Sequence, residues 1–116
     1  MRAHPNRRRG EIAATIDGET RLLCLTLGAL AELEAALGVS DLSELGTRFA
    51  GGRLSARDLI AIVGAGLRGA GNVASDADVA EMTVDGGLAG FARIAAELLA
   101  ATFGGAEADP CRPQAE

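Results

Sequence analysis

The sequence predicts an α+β fold, in which an N-terminal β-hairpin packs on a small bundle of about five helices. An alternating apolar segment at Glu11–Ile16 is followed by Asp17-Gly18, the dipeptide that favours a type I′ hairpin turn. Beyond this hairpin, apolar residues recur mostly at helical spacing. With 116 residues, of which 48% are hydrophobic, the chain can form one small core.

The hairpin is predicted to pair the strand Glu11–Ile16 with a return strand at Arg21–Thr26. Both central residues of a type I′ turn need a positive φ, which Asp-Gly provides at low cost. A two-stranded hairpin is only marginally stable in water, so we expect the helices to cover one of its faces.

Five helices follow in the prediction, and small polar or glycine residues mark their ends. They span about Leu27–Leu37, Asp41–Ala50, Ser55 to Gly71-Asn72, Ser75–Met82 and Leu88–Phe103. Gly38 stands where a left-handed residue ends the first helix. Ser40, Ser55 and Ser75 are the predicted N-caps, and Asp58 completes a near capping box with Ser55.

The domain organisation predicted from composition is one α+β domain at residues 10–104 between two short terminal segments. Residues 1–9 are polar and basic, and we expect a disordered arm. Residues 105–116 contain Pro110 and Pro113, and we expect a disordered tail.

The composition disfavours most enzymes. The chain has no Lys, which excludes a Schiff-base lysine and a P-loop, and its one His, His4, lies in the polar arm. A Ser-His-Asp or Cys-His site within the fold is therefore excluded, and no Cys/His spacing is typical of a metal site. We expect a non-enzymatic protein with no catalytic residues, cofactor, metal or small-molecule substrate.

The charge distribution bears on partners and location. Residues 1–10 carry four Arg and no acid, whereas residues 11–103 carry 13 acidic residues against six Arg. An acidic body disfavours a DNA-binding surface, although Arg7–Arg9 could contact nucleic acid or an acidic partner. Because no apolar run suits a signal peptide or a membrane span, we expect a cytoplasmic protein without membrane contact.

One motif permits two interpretations. Gly64–Gly69 reads G-x-G-x-x-G after the apolar run Leu59–Val63, and Asp85 follows at a distance that could suit a ribose contact. A nucleotide site would need that apolar run to be a strand. The alternative is that the glycines lie in a helix and allow close packing, which Gly71-Asn72 favours because it ends any following helix at once.

A second cluster, of arginines, is also open to two interpretations. Arg48, Arg53 and Arg57 could form a small basic ridge around the end of the second helix. Pairing with the nearby acids Glu44 and Asp58 is the favoured alternative.

Three runs together resemble a known family. They are residues 25–38 (LTLGALAELEAALG), residues 53–59 (RLSARDL) and residues 64–71 (GAGLRGAG). In this order, after an Arg-Gly-Glu start and a hairpin and before an apolar closing helix, they resemble the tail assembly chaperones of gene transfer agents and related phages. The resemblance implies a protein that binds the tape-measure protein or the tail tube protein before the tail polymerises. It implies no catalytic residues.

If that role holds, the apolar faces of the first and last helices are the candidate docking surface. The candidate residues are Leu30, Leu33, Glu34, Leu37, Phe91, Leu98 and Phe103. The competing interpretation is that the apolar ones pack on each other in the core, while Glu34 faces solvent. The rival function is a structural tail component that assembles with copies of itself, so a homo-oligomer is also considered.

Overall fold

The computed structural model describes residues 10–50 and 54–103. Its elements are, in chain order, β1 (Glu11–Ile16), β2 (Glu19–Cys24), α1 (Leu27–Leu37), α2 (Leu42–Ala50), α3 (Ala56–Gly69), α4 (Asp76–Ala80) and α5 (Gly87–Phe103). The predicted α+β class, a hairpin followed by five helices, is confirmed for the described part of the chain. The predicted disordered segments, residues 1–9 and 105–116, lie outside the described residues.

The hairpin forms through the predicted turn. Asp17 and Gly18 have φ values of 54° and 82°, as a type I′ turn requires. The two strands are antiparallel, with Ile16 opposite Glu19 and Glu11 opposite Cys24. The return strand therefore starts two residues earlier than the predicted Arg21, because a two-residue turn pairs its flanking residues directly.

The ends of α1 and α2 show where local hydrogen bonds decide a boundary. The Thr26 hydroxyl accepts a hydrogen bond from the Ala29 N–H at 3.0 Å and caps α1, which ends at the predicted Gly38 with φ 73°. For α2 the predicted cap, Ser40, is wrong. The Asp41 carboxylate accepts a hydrogen bond from the Glu44 N–H at 2.8 Å, so Asp41 has the capping role.

Both α3 and α4 begin with a complete capping box. In α3 the Ser55 hydroxyl and the Asp58 carboxylate exchange hydrogen bonds with each other's N–H groups, as predicted. Ser75 and Asp78 do the same in α4, which ends at Ala80 rather than at the predicted Met82.

The core is built around α3, which packs against α1, β2, α4 and α5. Ile62, Val63 and Leu67 of α3 are fully buried. Ile12 and Leu23 bring one face of the hairpin into the same hydrophobic cluster. One face of the hairpin is thus covered, as expected because an isolated hairpin is only marginally stable.

Each end of the hairpin contacts another part of the fold. At its turn, the Asp17 N–H donates to the Thr83 carbonyl at 2.8 Å, and the Asp17 carboxylate accepts from the Thr83 N–H at 2.8 Å. This places the turn beside the connection between α4 and α5. At the other end, Cys24 lies against Gly69 at the carboxyl end of α3, and Gly10 precedes the strand residue opposite Cys24.

Candidate interaction surfaces

Three of the predicted docking residues lie inside the protein. Leu30 and Leu33 of α1 are each 1% exposed, and Leu98 of α5 is 0% exposed. All three belong to one hydrophobic cluster, so their side chains serve the core, as the competing interpretation proposed. They offer no surface to a partner in this fold.

The other four predicted residues keep accessible surface. Leu37 and Phe91 are partly buried and pack against the core, Glu34 is partly buried, and Phe103 is 39% exposed. They lie on two different helices, α1 and α5. A binding role for these four stays a prediction.

An apolar groove opens between α3, α4 and α5. It has a volume of about 150 Å³ and is lined by Ala56, Leu59, Ile60, Val79, Ala80, Leu88 and Phe91. Leu88, at the amino end of α5, is 69% exposed. Of these lining residues only Phe91 was among the predicted docking residues. The apolar pattern of the last helix does not show that Leu88 is exposed, so this lining residue could not be identified from periodicity.

Exposed acidic residues flank the lining residues along the chain. Asp76 and Asp78 precede Val79, Glu81 follows Ala80, and Asp85 precedes Leu88. Asp76 is ion-paired with Arg68 and lines a different pocket, between α1 and α3.

Two further exposed apolar residues, Leu27 and Val73, lie near the opposite end of α3. Leu27 is 65% exposed and Val73 is 101% exposed. Leu27 follows Thr26, whose backbone N would lie 3.4 Å from a Cβ built on Gly69, the last residue of α3. Val73 lies in the loop that follows α3.

The Val73 loop is held on both sides. The Asn72 amide donates to the carbonyls of Leu22 at 2.9 Å and Leu67 at 3.1 Å. The Arg68 guanidinium donates to the carbonyl of Ala74 at 2.8 Å. The Val73 side chain is therefore exposed on a loop whose two neighbouring residues are hydrogen-bonded to the body of the protein.

Arg68 ties three elements together. Its guanidinium bonds Glu32 of α1 at 2.9 Å and Asp76 of α4 at 3.2 Å. The hydrogen bond to Glu32 raises the pKa of Arg68 above its ordinary value, against the opposing effect of partial burial. These side chains also line an open pocket between α1 and α3, but their charges are already paired with one another.

The glycine motif lies wholly within α3, and Leu59–Val63 is helical rather than a strand. The structural premise of the nucleotide interpretation is therefore wrong. The packing alternative explains why glycine stands at these positions. A Cβ at Gly66 would lie 2.5 Å from Leu98 Cδ2, and a Cβ at Gly69 would overlap the Cys24 carbonyl oxygen. These glycines let α5 and β2 approach α3 closely.

The predicted arginine cluster is divided. Arg48 pairs with Asp58 at 3.3 Å, and Asp58 is only 4% exposed. The interpretation of local ion pairing is therefore correct for Arg48. Arg57 is exposed at the start of α3, and Arg53 lies outside the described residues. The other predicted acid, Glu44, takes part in the start of α2 instead: its carboxylate accepts from the Ser40 N–H at 2.7 Å.

Residues 10–50 and 54–103 contain no group of three or more His, Cys, Asp and Glu side chains arranged to hold a metal ion. The same residues include no helix whose length and hydropathy would let it cross a membrane.

The described part of the chain is a small α+β protein with an apolar groove and a few exposed apolar side chains. Residues 9–105 match the family described as phage tail tube protein, GTA-gp10, and because this match covers most of its length, the chain belongs to that family. No curated protein and no solved structure gave a match. The resemblance to a tail-related family of gene transfer agents and phages is confirmed, but the description is of a tube protein and gives no support to a chaperone.

Proposed function

We propose that this protein is a structural component of a phage-like tail, which assembles with copies of itself and does no catalysis. The observation that carries the proposal is the family match over residues 9–105, whose description names a tail tube protein. Assembly in the cytoplasm, as expected from the sequence, is part of the proposal and stays a prediction.

The surfaces of the fold support assembly through protein contacts. A subunit that polymerises needs exposed apolar area held on a rigid body, so that little conformational entropy is lost on contact. The apolar groove and the exposed side chains of Leu27 and Val73 provide such area near opposite ends of α3. Residues Leu30, Leu33 and Leu98 lie in the core of the subunit, so the proposal does not use them as contact residues.

The rival is the chaperone hypothesis, in which the protein covers the tape-measure protein until the tube forms. Exposed apolar patches would also serve that role. The two differ in what the purified chain does alone, because a structural subunit has itself as a partner and a chaperone needs another protein.

The test is the mass of the purified full chain by sedimentation velocity over a range of concentrations, with negative-stain electron microscopy of the largest species. The same chain is also co-expressed with the tape-measure protein of its gene cluster. Rings, tubes or concentration-dependent oligomers of the chain alone support the proposal. A chain that stays monomeric and is needed to keep the tape-measure protein soluble contradicts it and favours the chaperone hypothesis.

A further inference from the structure

We infer that residues 75–83, which contain α4, form a strap that detaches from α3 as one unit while the rest of the fold stays native. The closed position of the strap in the structure is the populated state, and the open position is a minor state. The inference concerns the single subunit and does not rest on the proposed function.

The first argument is that the strap buries little of its own surface. Of residues 75–83, Val79 is buried, Met82 is partly buried and the others are exposed. Val79 is 1% exposed and belongs to the hydrophobic core cluster. By contrast, α3 contains nine buried residues. A segment held by one buried side chain opens at a lower free energy than the core helix on which it packs.

The second argument is where the strap is hydrogen-bonded to the rest of the fold. At its start, the Arg68 guanidinium of α3 pairs with the Asp76 carboxylate at 3.2 Å and donates to the carbonyl of Ala74, just before the strap, at 2.8 Å. At its end, Thr83 exchanges hydrogen bonds with Asp17 of the hairpin turn. Within the described part of the chain, no other hydrogen bond or ion pair leaves the strap. These anchors are exposed polar contacts, which individually stabilise little.

The third argument is that the strap's internal hydrogen bonds depend on its contact with α3. Ser75 and Asp78 form the capping box of α4, and the Val79 N–H donates to the Ser75 carbonyl at 3.0 Å. An isolated helix as short as α4 is not stable in water. A strap that leaves α3 therefore loses these bonds too, and its amides become accessible to solvent in one step.

Gly64 makes room for the closed strap. A Cβ at this position of α3 would lie 2.5 Å from Asp76 Oδ1 and 3.2 Å from Arg68 Nη1. Glycine therefore lets the Arg68–Asp76 ion pair lie against the helix. The first glycine of the motif thus serves α4, whereas Gly66 and Gly69 serve α5 and β2.

Opening of the strap changes the apolar groove. Val79 and Ala80 form the α4 side of its lining, beside Leu59 and Ile60 of α3. When the strap is open, the groove loses this side and the two α3 side chains gain exposure. The accessible apolar area of the subunit therefore depends on the position of the strap.

The test is amide hydrogen exchange of the full chain, resolved to single residues, at a concentration where sedimentation shows a monomer. The Asp17 N–H is the main reporter, because it donates to the Thr83 carbonyl at 2.8 Å across the end of the strap. The Val79 N–H reports on the middle of the strap. We expect both amides to exchange through one opening event, roughly tenfold or more faster than the buried amides of α3.

The decisive variant is Gly64→Ala, which disturbs the strap at the end remote from Asp17. The added Cβ displaces the Asp76 carboxylate from Arg68, while alanine favours the helical state of α3. Exchange at both Asp17 and Val79 should become about threefold or more faster, whereas exchange within α3 should be unchanged or slower. Asp76→Asn should accelerate exchange in the strap in the same way.

Glu81→Gln is the matched control for Asp76→Asn. Both variants remove one negative charge from the strap, but among residues 10–50 and 54–103 Glu81 forms no ion pair. Exchange at Asp17 and Val79 in Glu81→Gln should match that of the unmodified chain.

Three results would overturn the inference. If the strap amides exchange as slowly as those of α3, the strap opens only when the whole fold unfolds. If Gly64→Ala accelerates exchange at Val79 but not at Asp17, the two ends open separately. If Glu81→Gln accelerates exchange as much as Asp76→Asn, the ion pair with Arg68 does not hold the strap closed.

Discussion

Replacing Gly69 with alanine tests the claim that the glycine motif exists for packing. A Cβ there would overlap the carbonyl oxygen of Cys24, a backbone atom of β2 that cannot rotate away. Overpacking of this kind costs about 1–3 kcal/mol, and the better helix propensity of alanine returns at most about 1 kcal/mol. We therefore expect Gly69→Ala to lower the free energy of unfolding by about 1–2 kcal/mol. This corresponds to a fall in Tm of roughly 5–15 °C.

The assay is thermal and urea unfolding followed by far-UV circular dichroism, with two further glycine variants for comparison. Gly66→Ala should be less damaging, because its Cβ would meet the end of the Leu98 side chain, which can shift. Gly46→Ala is the matched control on α2, where a Cβ would meet no atom within 4 Å, and should stabilise by about 0.5–1 kcal/mol. If Gly69→Ala is as stable as the unmodified chain, the packing explanation of the motif is refuted.

Three further substitutions test other contacts by the same unfolding assays. Leu98→Ala should destabilise by about 2–5 kcal/mol because it opens a cavity at a fully buried position; a loss below 1 kcal/mol would place this side chain outside the core. Asp58→Ala should cost about 1–2 kcal/mol, since it removes both a capping box and an ion pair; an unchanged urea midpoint would argue against both contacts. Arg68→Gln should cost about 1 kcal/mol, whereas exposed Arg57→Gln should stay within about 0.5 kcal/mol; equal effects would show that the pairs of Arg68 with two other helices add no stability.

The sequence is sufficient to predict the features of this fold that depend on local chemistry. Asp17-Gly18 defines the hairpin turn, and Gly38 ends α1 in the left-handed conformation. Ser55 and Asp58 form their capping box. Each of these depends on residues within a few positions of one another, so no tertiary information is needed to predict them.

The missed features depend on choices between neighbours or on distant contacts. Ser40 and Asp41 are both good caps, and only the observed hydrogen bond to Glu44 shows that Asp41 is used. In α1 the alanines lie on every side of the helix, so the pattern does not show that Leu30 is core while Leu27 is exposed.

The groove was missed for a related reason. Its lining comes from three helices that are separated along the chain, and only their packing brings Ile60, Val79 and Leu88 together. The exposure of Val73 was equally hidden, because one apolar residue in a loop carries no periodicity. Candidate contact surfaces therefore required the tertiary structure, although the residue types were visible in the sequence.

The central claim, that this protein is a structural subunit of the tail rather than an assembly factor, is tested most directly in finished particles. The particles produced by the gene cluster that encodes this chain would be purified and digested with protease. Quantitative mass spectrometry would then measure the copy number of this chain relative to the other tail proteins. Our account predicts many copies of the chain in every mature tail. Its absence from mature tails that assemble only when it is expressed would contradict the account and identify an assembly chaperone.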